Sequence, residues 1–234
     1  MSAATFTSFA VAGGTGGLGH LIASELVAVG AKVAVLTRPD SNSKLPPGAE
    51  ARQALKRLSL FLLPAAAKKA GVKLFVPSYR LAYTLYFTGF FSDIIFTPHI
   101  GFDIAKKSIS FVGEGHTPVS FTTRPDIARF TAYTLTHLPL EQLSNATLGV
   151  EGDRQSFREL VKIFGEVYGE SFTANSRSIE DAEKKVEREG LAAFVDFLLI
   201  SAEKGLAHVG EPQNQLVPGF KPLNVPEALK KYFL

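Results

Sequence analysis

Phe9-Ala-Val-Ala-Gly-Gly-Thr-Gly-Gly-Leu-Gly19 decides the fold. The apolar run Phe9 to Ala12 ends in glycines, and Leu21, Ile22, Leu26 and Val29 then recur at helical spacing until Gly30 stops them. Strand, tight turn and helix follow one another. Lys32 to Thr37 alternates and then runs apolar as a second strand, and Arg38 to Gly48 is a polar, proline-containing loop. The first 48 residues therefore read as βαβ plus a loop. Between strand and helix the glycines fall as G-x-x-G-x-x-G, at Gly13, Gly16 and Gly19. The first permits a tight turn, the second lets backbone approach a pyrophosphate, and the third lets the helix pack on the strand. Free N–H groups and the positive end of the helix dipole then face the phosphates. The strand-turn-helix-strand setting makes this a dinucleotide site rather than a bare turn. Gly13, Thr15, Gly16, Gly17, Leu18 and Gly19 are its candidate residues.

Folds selective for the unphosphorylated dinucleotide place an acid about twenty residues past the loop, at the tip of the second strand. That tip here is Thr37-Arg38, with Lys44 further along the loop. An arginine there can stack on adenine and pair with a 2′-phosphate, and a lysine adds a second charge. Arg38 and Lys44 point to NADP(H), against the alternative of two solvated surface cations. Charge is also uneven. Residues 1–80 carry ten Lys or Arg against three Asp or Glu, and residues 81–234 carry fifteen against nineteen. A basic first part suits a polyanionic ligand. The basic residues are scattered and form no nucleic-acid-binding motif, so no nucleic-acid partner is expected.

Downstream, Ala51 to Ala70 is mostly helix-forming around Pro64, and Gly71 is a natural C-cap before an expected strand at Val72 to Val76. A further strand is expected at Tyr83 to Phe87. Ile109 to Val112 and Val119 to Thr122 flank Gly113-Glu-Gly115 and read as a hairpin or tight loop. Thr123-Arg-Pro-Asp126 and Ser156-Phe-Arg-Glu159 have capping-box spacing, the second followed by Phe157, Leu160, Val161, Phe164, Val167 and Tyr168 on one helical face. Ser178 to Asp181 opens a charged helix that Gly190 ends, and Leu191 to Lys204 gives another. The expected architecture is α/β: a shortened, Rossmann-type doubly wound parallel sheet with a smaller, mainly helical C-terminal substrate lobe. Residues 1–97 are expected to form the NADP(H)-binding domain and 98–234 the smaller substrate or partner lobe. A strand near 147–151 is expected to return to the main sheet.

A hydrophobic share of 46% and a charged share of 20% are those of an ordinary globular protein. With no cysteine, disulfides, thiolate metal sites and cysteine nucleophiles are excluded, and redox chemistry must come from a cofactor. Met1 to Phe9 lacks a basic leader, and the apolar stretches Leu58 to Ala67 and Leu191 to Ile200 are too short to span a bilayer. The sequence predicts a cytoplasmic protein with no membrane partner.

The chain resembles the atypical short-chain dehydrogenases of the NmrA-like and isoflavone-reductase-like group. The resemblance rests on the glycine loop, Val35-Leu-Thr-Arg38, Ala66-Ala-Lys-Lys-Ala-Gly-Val-Lys-Leu-Phe-Val-Pro-Ser78, Thr88-Gly-Phe-Phe91 and Ser120-Phe-Thr-Thr-Arg-Pro-Asp-Ile127, in the family's order. It implies either a reductase drawing hydride from NADPH for an apolar small molecule, or a relative that binds the dinucleotide to sense redox state and docks on a protein. It adds Pro77 and Ser78 to the cofactor residues and places Gly89, Phe90 and Phe91 near the nicotinamide. The pattern breaks twice. The family carries a strand, a helix and another strand where this chain passes directly from Glu50 to Ala51. Between Ser78 and Leu81 it carries a loop and a helix bearing a catalytic lysine, where only Tyr79 and Arg80 stand here. None of the six tyrosines begins a Tyr-x-x-x-Lys pair. Two internal deletions therefore leave an inactive, truncated member of the family as a third reading.

The five histidines show no metal-ligand spacing, so no metal is expected. Asp93 and Asp103 bracket a Phe- and Ile-rich loop, where a capping or turn role outweighs acid/base work. Phe87, Phe90, Phe91, Phe96, Phe102 and Phe111 read mostly as core, with the remainder free to line an apolar pocket.

Overall fold

In the computed structural model the chain is described at residues 6–37, 44–53, 74 and 82–234. Arg38, Pro77, Ser78 and, apart from Leu74, the expected strand Val72 to Val76 lie outside the described residues. The described chain begins β1 (Ser8–Ala12), α1 (Gly17–Ala28), β2 (Lys32–Thr37), β3 (Glu50–Gln53), β4 (Thr84–Phe87), β5 (Phe90–Phe91), β6 (Phe102–Asp103), β7 (Ser108–Val112) and β8 (Val119–Thr122). It continues through α2 (Arg124–His137), α3 (Leu140–Leu143), β9 (Ala146–Gly149), β10 (Asp153–Gln155), α4 (Phe157–Tyr168) and β11 (Thr173–Arg177). The last helices are α5 (Ile179–Glu189), α6 (Phe194–Glu203) and α7 (Val225–Tyr232). The protein is α/β with a Rossmann-type opening.

The chain forms two compact units, each assembled from separate stretches. The first draws on the described residues within Met1–Phe87 and on Arg124–Val150 and Gln213–Phe220. Its sheet runs β1-β2-β3, all parallel, with Val11 opposite Val35 and Val35 opposite Ala51. Val33 and Val35 alternate inward along β2 and are buried with Ala23 and Leu26 of α1 and Ala132 of α2. A second parallel pair, β4 with β9, joins Thr84 to Ala146 and Phe87 to Gly149. The Thr84 hydroxyl donates to Leu143 O at 2.6 Å from its buried position, tying β4 to the end of α3.

β3 corrects one expectation. Ala51 to Ala70 reads as helix-forming from composition, yet Glu50–Gln53 extends and pairs with β2. A third strand, expected to be missing at Glu50-Ala51, is therefore present in the four residues Glu50–Gln53. Residues beyond Gln53 in that stretch lie outside the described residues.

The second unit comprises Thr88–Thr123, Glu151–Pro212 and Lys221–Leu234. It holds two three-stranded sheets, β10-β8-β5 and β11-β7-β6. Of the two alternatives expected across Gly113-Glu-Gly115, a hairpin or a tight loop, the hairpin is not formed, because β7 and β8 go to different sheets. β7 pairs in parallel with β11, whereas β8 pairs antiparallel with β10 and parallel with β5. The alternation marked both strands correctly but carried no information about partners. Between the helices and these sheets lies a phenylalanine-rich core. The Phe96 ring lies 5.0 Å from that of Phe102, 5.3 Å from Phe164 and 5.8 Å from Phe121, centroid to centroid. Phe96, Phe102 and Phe111 are fully buried there, Phe90 packs against the same cluster, and Phe87 stays half exposed in the first unit. α4 buries Phe157, Leu160 and Phe164 on its expected face and starts with the expected capping box.

Candidate functional site

The glycine loop joins the C-terminal end of β1 to the first turn of α1, and its glycines do different things. Gly13 (φ +74°) and Gly17 (φ +51°) adopt the left-handed backbone that side chains disfavour. Gly19 is required for packing, because a Cβ there would fall 2.4 Å from Gly13 O. Gly14 is buried, and its Cβ would press at 3.0 Å on Val35 and 3.2 Å on Val11. Gly16 differs from all of these. Its backbone is extended (φ −157°), it is exposed, and a Cβ there would meet nothing within 4 Å. The loop thus closes tightly behind Gly16 and is open in front of it.

That opening coincides with the start of α1. The first N–H groups of a helix lack intrahelical acceptors and carry the positive end of its dipole. Gly16 as N-cap supplies no side-chain acceptor, and the first turn has no acid. The donor set and the cradle fit a pyrophosphate, and Thr15, half buried, and Leu18 flank it. Lys44 is exposed. These residues sit in the first unit, and Gly89, Phe90 and Phe91 in the second.

Around Gly89 the geometry is again one of close approach. Its φ is +62°, and a Cβ would lie 2.2 Å from Ser120 O. Phe90 and Phe91 form β5 against Phe121 and Thr122, and both rings are half buried. Phe90 meets Phe121 edge-on with centroids 6.0 Å apart.

The titratable residues weighed from sequence have mostly structural work. Asp103 accepts a hydrogen bond from Lys106 N–H at 3.0 Å and pairs with the Lys106 ammonium at 3.3 Å. The Lys106 backbone N–H above all holds its carboxyl below the usual carboxylate range. Asp93 is buried and engaged in interactions of its own. Tyr86 shares a 2.9 Å hydrogen bond with Thr134, and burial drives its phenol well above the ordinary value. Sequence reading did not single out Asp196, a buried carboxylate held by Arg177 and by Lys185 at 2.8 Å. Burial opposes its charge, but the hydrogen bonds from Lys185 and Arg177 prevail and lower its pKa. The Ser120, Glu151 and Arg154 cluster beneath Gly89 was also missed, since residues 31 and 34 apart leave no spacing signal. Among the described residues no three His, Cys, Asp or Glu gather as metal ligands, and no helix is long and apolar enough to cross a membrane.

No profile of a known protein family matches the sequence. A curated relative, Oxidoreductase BOA1 of Botryotinia fuckeliana (strain B05.10), is 29% identical over 132 residues. That match spans 53% of this chain and 41% of the oxidoreductase, less than half of the latter's length. Among solved structures, isoflavone reductase superposes with a TM-score of 0.76 at 15% identity, covering 97% of this chain and 100% of that one. AtPrR2 with NADP+ and (+)pinoresinol gives 0.74 at 19% identity, covering 97% and 99%. The likenesses to the solved structures show the Rossmann-type fold that the sequence resemblance implied.

Proposed function

We propose that this chain is an NmrA-like, isoflavone-reductase-like protein that binds NADP(H) and serves as an NADPH-dependent reductase of an apolar small molecule. The observation that carries the cofactor reading is the open, uncapped start of α1 in front of Gly16, backed by glycines that admit no side chain. Backbone N–H groups from Gly13 to Gly19 would hold the pyrophosphate. Arg38 and Lys44 would pair with the 2′-phosphate, and Pro77 and Ser78 complete the cofactor residues. When bound, NADPH supplies the hydride. Gly89, Phe90 and Phe91 would offer apolar surface that orients a flat substrate and keeps water from it. Support comes from AtPrR2, whose structure holds NADP+ and (+)pinoresinol. The absence of cysteine suits a reducing compartment such as the cytoplasm.

A second reading, a dinucleotide-binding regulator that docks on a protein and turns nothing over, has one specific observation in its favour. Tyr79 and Arg80 stand where the resembling reductases carry their lysine. A guanidinium stays protonated and cycles poorly as an acid, and losing one general acid/base costs about a hundred- to ten-thousandfold in rate. Calorimetric titration with NADPH and NADH tests the shared premise, and failure of both to bind refutes it. NADPH oxidation with apolar enones or aromatic ethers then separates the readings. Low or absent turnover with retained binding supports the regulator, and ordinary enzymatic rates, lost on Tyr83→Phe, would support the reductase.

A further inference from the structure

We infer that the outward face of α6 and of the turn before it, formed by Leu191, Phe194 and Phe197, is an interface with a second copy of this chain, the two helices packing antiparallel across a twofold axis. All of these residues lie in the second unit, so the contact stands whether or not a dinucleotide binds.

α6 carries more apolar residues than its inner face can use. Leu199, Ile200 and Ala202 are buried and join the aromatic core. Phe194 and Phe197 nevertheless point away, each 54% exposed, and Leu191 in the turn Gly190–Ala193 is 92% exposed. The three recur at every third residue, and half-buried Leu198 and Ser201 continue the same broad side of the helix. The two rings lie nearly parallel with centroids 6.5 Å apart, so they form one surface rather than two isolated side chains. The Ser201 hydroxyl donates to Phe197 O at 2.8 Å, so covering it leaves no donor unpaired.

Area and charge select the occupant. The exposed parts of the three side chains amount to roughly 400 Å², in the range of functional patches rather than of scattered surface residues. Counted on both copies with the flanking residues, that reaches only the low end of specific interfaces, about 1,000 Å², which calls for a reversible dimer rather than a permanent one. Charge favours a second copy over a bilayer. α5, packed alongside α6, carries five acids against three bases, the wrong sign for an anionic lipid surface. Beside the N-terminal end of the apolar face stand Glu187 and the Arg188–Glu189 pair. At its C-terminal end stands Lys204, half exposed and paired with Glu183 at 2.5 Å. A twofold contact repeats the same patch on both partners. With the helices antiparallel, Lys204 of one copy comes to the Glu187–Glu189 end of the other, twice over, and the two helix dipoles oppose each other.

The test is sedimentation equilibrium on the whole chain, with the melting temperature alongside. The unaltered protein is expected to interconvert between monomer and dimer with a dissociation constant of roughly 10 to 100 μM, as for a small interface. Phe194→Ser and Phe197→Ser, both at exposed positions, should weaken association by at least about thirtyfold, the loss of a central aromatic anchor, while the melting temperature of the dilute monomer stays unchanged. Glu187→Lys and Lys204→Glu should each weaken it a few-fold. An equimolar mixture of those two variants should restore it, because each rim contact between unlike copies then joins opposite charges. A protein that stays monomeric, a dimer indifferent to both phenylalanines, or a mixture no tighter than the separate variants would overturn the inference. Flotation with phosphatidylcholine vesicles runs in parallel, and vesicle binding that is lost in Phe194→Ser, without self-association of the unaltered protein, would overturn it in favour of a lipid surface.

Discussion

Two helix beginnings in this molecule contrast sharply. At the start of α4, Ser156 accepts from Glu159 N–H at 3.3 Å while Glu159 accepts from Ser156 N–H at 2.7 Å, so the chain satisfies its own donors. That carboxyl is held below its usual range first by the Ser156 backbone N–H and then by the Ser156 hydroxyl. At the start of α1 there is a glycine, no side-chain acceptor and no acid. The same backbone chemistry is thus satisfied by the chain's own side chains in one place and left without a side-chain cap in the other.

That contrast breaks most easily at the open end. Gly16→Val has space for its side chain and an ordinary extended backbone, so the fold should persist while dinucleotide affinity falls by more than about a hundredfold, because the new side chain stands where the pyrophosphate must approach. Circular dichroism and calorimetry on the same sample check both halves. Gly19→Ala should do the reverse and cost folding first, since its Cβ would collide with Gly13 O at 2.4 Å. Retained micromolar binding by Gly16→Val would reduce the loop to a turn.

Arg38→Ala should weaken NADP(H) by roughly 1.5 to 3 kcal/mol, the value of a charged hydrogen bond, and leave NAD(H) nearly unchanged. Equal losses for both dinucleotides in calorimetry would separate Arg38 from the 2′-phosphate.

Asp196→Asn sharpens the comparison from the side of internal satisfaction, since this carboxylate, like that of Glu159, is consumed by the protein itself. Loss of its charged hydrogen bonds should destabilise the protein by about 1 to 3 kcal/mol in denaturant unfolding. The pH sign follows from its lowered pKa. The folded state binds this proton less readily than the unfolded chain, so the contribution is complete above the unfolded carboxylate value of about 3.9 and disappears as pH falls through the lower folded value. Unfolding of the unaltered protein and Asp196→Asn, compared from pH 6 downward, should converge in acid.

Ser156→Ala should have the smallest effect, about 1 kcal/mol of stability for a lost cap, with dinucleotide affinity untouched. A change in affinity would show that the two helix starts are not independent.

The same opposition between local signal and distant pairing explains what the sequence disclosed. β1, α1 and β2 were legible because their turn, helix and strands lie within a few dozen residues and each carries its own apolar period. α4 was legible down to its cap for the same reason. β3, with the residues Glu50-Ala-Arg-Gln53, and β11, Thr173-Ala-Asn-Ser-Arg177, have no apolar alternation to read. They are strands because a neighbour offers its edge. The glycines of the candidate site announced themselves through spacing, whereas a polar cluster such as Ser120, Glu151 and Arg154 meets only after the chain has folded back on itself.

The pairing of β4 with β9 has a consequence for the making of the protein. β1 and β2 lie about two dozen residues apart, but Thr84 finds its ladder partner at Ala146, some 62 residues later. At a synthesis rate of about 5 to 20 residues per second, β4 leaves the ribosome several seconds before the residues that complete it. During that interval its backbone edge and the Phe87 ring are without their final neighbours, while the glycine loop's own strands and helix are already available to one another. Closure of so long a loop lowers the folding rate more than it lowers final stability. The nascent chain thus passes through a stage in which the βαβ start can form while β4 remains an open edge, the stage at which chaperone protection would matter most.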